Sequence, residues 1–305
     1  MSKSWKASLA EVLRTHNRVR SGGSVASYLT QEKRGDVLFA GFAKLRELGY
    51  RLEDVRQFKG RHMQALADAW VKEGLGTSAL QNYISTFRTF AGWIGKAGMV
   101  LRTEDYVGPE KARRTSINTE DKSWSAKGVD VDAKIAEVRA VDPRIAMQLE
   151  LQQAFKLRPS EAMQLRPHLA DRGHYLAINW GTKGGRDRVV DIATPQQRDV
   201  LDRAKALAAT PSASMCDPSL TLKQAKGHYY RVVAKCGITK ATGAITSYGL
   251  RHAGANDRYK ELTGEDSPVR GGGDVDPELD RHARQIIAEE LGHSRQHIVT
   301  NYIGR

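Results

Sequence analysis

The 305-residue chain has only two cysteines, Cys216 and Cys236, twenty positions apart and with no histidine pair beside them. That spacing fits no zinc site and excludes a disulfide-stapled scaffold, so two reduced thiols are expected. No stretch approaches the roughly 20 consecutive apolar residues of a membrane-spanning helix. The opening residues, MSKSWKASLAEVLRTH, lack the continuous apolar centre of a signal peptide. The glycine-rich run Arg270–Gly273 lacks the Lys-Ser/Thr ending and the preceding strand of a phosphate loop. There is no internal repeat, and no carboxylate cluster suited to a magnesium ion. With 40% hydrophobic and 27% charged residues, neither a disordered nor a collagen-like chain is expected.

What the chain does have is positive charge: 48 Lys and Arg against 35 Asp and Glu, a net of +13. Such an excess favours a polyanionic partner, most often nucleic acid. The charge is uneven. Residues 1–127 carry 22 basic and 13 acidic side chains, and residues 128–305 carry 26 and 22. The length predicts about two domains. The polar, aperiodic stretch from Leu101 to Lys127, with Gly108-Pro109 and the basic patch Lys111, Arg113 and Arg114, marks the join. The expected division is a helical domain over 1–110, a linker over 111–127 and a second domain over 128–305, with residues 1–30 an additional basic segment.

Hydrophobic periodicity predicts helices over Asp36–Leu48, His62–Glu73 and Thr77–Lys96 in the first part. In the last, Leu80, Ile84, Phe87, Phe90 and Ile94 form a core stripe, while Arg88 and Lys96 lie on the opposite face. In the second part, Asp132–Ala140, Arg144–Phe155, Pro195–Ala209, Leu222–Cys236, Gly249–Leu262 and Asp280–Leu291 read as helices. Tyr175–Trp180 and Arg188–Ile192 read as the strands of a hairpin turning through GTKGGRD. The expected fold is mainly α, with one small antiparallel sheet in the second domain.

The second part also carries a series of chemical groups. Arg158 ends an apolar helix, with Glu161 three residues on. Lys183 sits in the hairpin turn. Tyr248 and Arg251 open a helix within Ser247-Tyr-Gly-Leu-Arg-His252. His293 follows Leu291-Gly292, and Tyr302 comes nine residues later. Singly, each has an ordinary reading: a salt-bridged arginine, a solvated turn lysine, a packing tyrosine. In order and spacing, however, the set resembles the catalytic domain of the tyrosine recombinases, or phage integrases, over about Gln148–Tyr302. The helix beginning Gly76-Thr-Ser-Ala-Leu-Gln-Asn-Tyr resembles, more loosely, the SAM-like core-binding domain of that family over about residues 35–100; residues 1–30 lie outside the resemblance.

The resemblance implies a site-specific DNA recombinase, the integrase of a mobile element, acting through a covalent 3′-phosphotyrosyl intermediate. Tyr302 would be the nucleophile, Arg158 and Arg251 the phosphate-binding forks, and Lys183 the general acid. His293 would be a hydrogen-bond donor to the phosphate, and Glu161 the partner that orients Arg158. Neither metal, ATP nor another cofactor is implied. The partners implied are duplex DNA at specific sites, a homotetramer on two sites and accessory DNA-bending proteins, in a prokaryotic cytoplasm at the nucleoid. Arg61, Arg88 and Lys96 are candidate DNA contacts of the first domain, with Lys111, Arg113 and Arg114 of the linker. One position departs from the pattern: Tyr248 stands where the family usually has His, and a phenol is a poor base near neutral pH. His252 is expected to point about 100° away from Arg251 and is given no role. The chain stops three residues after Tyr302, so any docking by its tail is expected to be minimal. A type IB-like topoisomerase and a DNA-binding relic that no longer cuts are the competing readings.

Overall fold

The computed structural model describes residues 4–19, 22–115, 117–243 and 245–305. These form two compact units, Met1–Thr115 and Ser116–Arg305.

The first unit is helical. Its main elements are α1 (Trp5–His16), α2 (Tyr28–Glu47), α3 (Gly60–Lys72) and α4 (Thr77–Trp93), followed by the short α5 (Thr103–Val107) and α6 (Pro109–Ala112). The expected helices are present, but α2 starts eight residues before Asp36. The Ser27 hydroxyl caps it by accepting from the Thr30 amide, and the polar turns that follow fit a helix without showing an apolar period. Residues 1–30 are more than an added basic segment. Leu9 and Val12 of α1 are fully or almost fully buried in the same core as Leu38, Phe42 and Leu45 of α2, Met63 and Leu66 of α3, and Ile84, Phe87 and Phe90 of α4. Gly41 lets α2 lie close against that core: a Cβ there would lie 2.5 Å from Phe87 Cζ.

The second unit is built around α8 (Pro143–Phe155), which is buried almost all round. On one side pack α7 (Val131–Val141) and later α12 (Leu222–Lys235). On the other lie α9 (Pro159–Gln164), α10 (Pro167–Ala170), the hairpin of β1 (Tyr175–Ile178) and β2 (Arg188–Asp191), and α11 (Pro195–Leu207). The strands pair antiparallel with Ile178 opposite Arg188. A third cluster joins α14 (Tyr248–Thr263), α15 (Pro277–Glu290) and the final turn α16 (Thr300–Ile303), with α13 (Lys240–Gly243) preceding α14. The chain is thus mainly helical with, among the described residues, a single two-stranded sheet.

The stretch read from sequence as a linker has an ordered second half. Trp124 is fully buried in the second unit and donates from Nε1 to the Thr246 carbonyl at 2.7 Å. Asn118 is buried too: its amide nitrogen donates to the Thr300 carbonyl at 2.9 Å and its side chain to the Tyr302 carbonyl at 2.9 Å. Polar residues that hydrogen-bond to backbone leave no hydrophobic period, so this packing is silent in the sequence.

Candidate active site

The local sequence Phe155-Lys-Leu-Arg-Pro-Ser-Glu161 builds the base of the site. Pro159 occupies the first helical position of α9, Arg158 is its N-cap, and Glu161 reaches back to accept from the Arg158 amide at 2.7 Å. The same carboxylate accepts from the Arg158 guanidinium at 2.5 Å and from Arg188 Nη2 at 2.8 Å, and lies 4.0 Å from Arg251 Nη1. One fully buried carboxylate therefore faces three arginines that are each 8% exposed or less. Burial pushes the Glu161 carboxyl upward, but Arg188, Arg158 and Arg251 together hold it below the usual carboxylate range. Arg188 is drawn down to about 10 by burial, against the pull of Glu161, and its Nε is buried with no hydrogen-bond partner among the described residues. The cluster holds a buried excess of positive charge, the condition that favours an anion.

Two backbone features shape it. Lys156 ends α8 in the left-handed region, at φ 53°, which costs a non-glycine residue on the order of 1 kcal/mol. The turn aims its carbonyl at Arg251, which donates to it from Nη1. The Leu291 carbonyl accepts from Arg158 Nη2 at 3.0 Å and from Arg251 Nη2. Next to it, Gly292 sits at φ 65°, and a Cβ there would come within 2.7 Å of Arg188 Cδ. Glycine at this turn lets the backbone lie against the arginines.

Tyr302 closes the cluster. Its hydroxyl is 3.3 Å from Arg251 Nε and 3.2 Å from His293 Nε2, and the Arg251 guanidinium lies 5.6 Å from its ring centre. The imidazole of His293 is drawn down to about 4, first by burial and then by Arg251, Arg158, Lys183 and Arg188, and so is neutral at pH 7. Five of the seven catalytic candidates, Arg158, Glu161, Arg251, His293 and Tyr302, are brought together in this way. Tyr248, on the first turn of α14, is 43% exposed and within electrostatic reach of Tyr302, Arg158 and Arg251. Burial raises its hydroxyl pKa further, which deepens its unsuitability as a base. Lys183 is exposed on the hairpin turn. The described residues hold no group of His, Cys, Asp and Glu arranged for a metal ion, and no helix among them is long and apolar enough to cross a membrane.

Family models match both units. The phage integrase N-terminal model covers residues 8–100, and the integrase model covers residues 115–257. The chain belongs to the tyrosine recombinase family. The first of those matches takes in most of α1, in line with its place in the core. Among solved structures, a lambda integrase dimer bound to a COC′ core site matches 96% of the chain and 76% of its own, at 13% identity and a TM-score of 0.60. The XerH site-specific recombinase bound to a palindromic difH substrate matches 99% and 93%, at 13% identity and a TM-score of 0.60. A Tn1549 transposon integrase fragment in complex with circular intermediate DNA matches 100% and 96%, at 13% identity and a TM-score of 0.57. No curated protein matches this recombinase by sequence.

Two residues of the cluster escaped the sequence reading. Arg188 is one. Strand alternation places it on the inward face with Val190, so an arginine at an inward register position opposite buried Ile178 is the signal that could have found it. His252 is the other. Its ring centre is 5.0 Å from that of Tyr302, whose ring centre also lies 5.6 Å from the Arg251 guanidinium. Helical geometry gave the angle between these two side chains, but not where α16 would dock. The basic candidates divide as well. Arg88 donates to the Val100 and Leu101 carbonyls, and Lys96 to the Arg56 and Phe58 carbonyls. Both groups close the first unit on itself. Arg61, Lys111, Arg113 and Arg114 are exposed.

Proposed function

We propose that the protein cuts and rejoins DNA at specific sites, with Tyr302 attacking phosphorus to give a 3′-phosphotyrosyl intermediate. The observation that carries this reading is the Tyr302 hydroxyl held 3.3 Å from Arg251 Nε beside Arg158 and Arg188, in a cluster with more positive charge than Glu161 neutralises. A phosphodiester repels nucleophiles, and its transition state gathers charge on nonbridging oxygens. Preorganised guanidinium forks offset that charge best in a site sheltered from water. Arg158 and Arg251 are the forks, and Glu161 orients Arg158 while keeping the trio of arginines together. Lys183, on its hairpin, supplies the proton to the departing 5′-oxygen. The bond energy is kept in the tyrosyl ester, so rejoining needs no ATP.

In this reading the second unit is catalytic and the first binds the DNA core, with Arg61 and the patch Lys111, Arg113 and Arg114 on phosphates. Affinity then falls steeply with salt. The active form is a tetramer on two sites, assisted by DNA-bending proteins. The test is covalent trapping on nicked duplexes tiling the DNA that flanks the gene. A protein–DNA adduct that survives denaturation and disappears in Tyr302→Phe, with DNA binding kept, is expected. An adduct that persists in Tyr302→Phe rejects the nucleophile. Relaxation of supercoiled DNA without a site requirement points instead to a topoisomerase.

A further inference from the structure

We propose that His293 is the group that takes the proton from Tyr302 as the tyrosine attacks. The inference rests on the strand-transfer reading above and assigns its missing base. Among the described residues, the Tyr302 hydroxyl has two polar neighbours, Arg251 Nε at 3.3 Å and His293 Nε2 at 3.2 Å. A guanidinium has donors and no acceptor. The hydroxyl oxygen therefore accepts from Arg251, and its own hydrogen turns to the remaining neighbour, His293 Nε2, which accepts it. An imidazole does this only when neutral and carrying its proton on Nδ1.

The surroundings keep it neutral. Burial, Arg251 from α14, Arg158 from the start of α9, Lys183 from the hairpin turn and Arg188 from β2 all disfavour a second proton on the ring. The carboxylate of the cluster, Glu161, is engaged by Arg158 and Arg188. The other groups beside Tyr302 are less suited. Tyr248 is a phenol, with its pKa raised. His252 lies against the ring rather than the hydroxyl, and burial draws its pKa down to about 4, partly opposed by a hydrogen bond to the Tyr302 backbone.

A bound phosphodiester changes this balance. Its negative charge offsets the arginines that suppress protonation of His293, so the imidazole gains basicity when substrate arrives. The step balances as follows. The bond from Tyr302 Oη to phosphorus forms as the bond from phosphorus to O5′ breaks. The Oη proton passes to His293 Nε2, and O5′ takes a proton from Lys183 Nζ. Rejoining runs the same transfers in reverse.

The experiment is single-turnover cleavage of the same nicked duplexes by wild type, His293→Gln and His293→Asn, from pH 6 to pH 9. Glutamine keeps a hydrogen-bond acceptor but cannot carry the proton away. Its rate at pH 7 is expected to fall about 10²- to 10³-fold, and to recover tenfold per pH unit toward wild type as hydroxide takes over. A defect of constant size at every pH overturns the proposal, leaving His293 as a phosphate contact. A second arm uses duplexes with sulfur in place of the bridging 5′-oxygen, a leaving group that needs no proton. These are expected to rescue Lys183→Ala and not His293→Gln; rescue of His293→Gln places the histidine on the leaving group and overturns the proposal. His293→Asn serves as the second variant, and both are scored only with DNA binding retained at the wild-type level. Absence of any adduct with the wild-type protein rejects the strand-transfer reading, and the base assignment falls with it. An adduct with a parallel pH profile rejects the base assignment alone.

Discussion

The core of the first unit and the charged cluster of the second are both closely packed, but by different physics. In the first, Phe42, Phe58, Phe87 and Phe90 meet with ring centres 5.2 to 6.3 Å apart. Such contacts are numerous and only weakly directional, so neighbours can adjust when one changes. In the second, three guanidinium groups are fixed by one carboxylate and by the carbonyls of Lys156, Leu291 and Glu290. Nothing there substitutes for the missing charge if Glu161 is altered. The first arrangement supplies stability. The second uses stability to hold together more positive charge than its one carboxylate neutralises.

That contrast can be tested by matched substitutions. Glu161→Gln keeps shape and removes charge. It is expected to destabilise the second unit by about 3–5 kcal/mol, read by amide hydrogen exchange on each unit separately, since a two-unit chain need not unfold in one step. A loss below about 1 kcal/mol would mean that the carbonyls alone hold the arginines.

Next in size is a pH effect in the second unit. His252 titrates near 6.5 when unfolded but is held down at about 4 in the native state, chiefly by burial. The unfolded chain therefore binds the proton first, and its stabilising contribution is complete above pH 6.5 and lost as pH falls toward 4. The loss is on the order of 3 kcal/mol, with His293 acting in the same direction. Melting curves between pH 4 and 7 should show it, and His252→Phe should flatten the slope. An unchanged slope in that variant would remove His252 as its source.

The smallest effect belongs to the aromatic core. Phe90→Leu is expected to cost the first unit only about 1 kcal/mol, read by the same exchange measurement. A cost equal to that of Glu161→Gln would erase the distinction between the two regions.

The two regions also differed in how far the chain announced them. Leu80, Ile84, Phe87 and Phe90 repeat at helical intervals, and burial follows from that period. The site's principal side chains were legible for another reason: Arg158 and Glu161, Arg251, His293 and Tyr302 stand in an order and local spacing characteristic of one family. Arg188 and His252 were missed because each acquires its role from a distant segment. Arg188 depends on the Leu291–His293 turn, and His252 on the docking of α16. Arg88 and Lys96 were placed on an outward face because a helix period separates apolar from polar positions. It says nothing of carbonyls brought near by other loops.

By itself, then, the amino-acid sequence determined the helices, the hairpin and the identity of most side chains of the candidate site, since these depend on residues within a few positions of one another. Tertiary structure decided which basic groups are sequestered, which histidines face Tyr302 and where positive charge is left in excess. Those outcomes turn on how separate segments dock, from Lys96 on the Arg56 carbonyl to the Arg158 guanidinium on the Leu291 carbonyl, and no local pattern encodes such a distance.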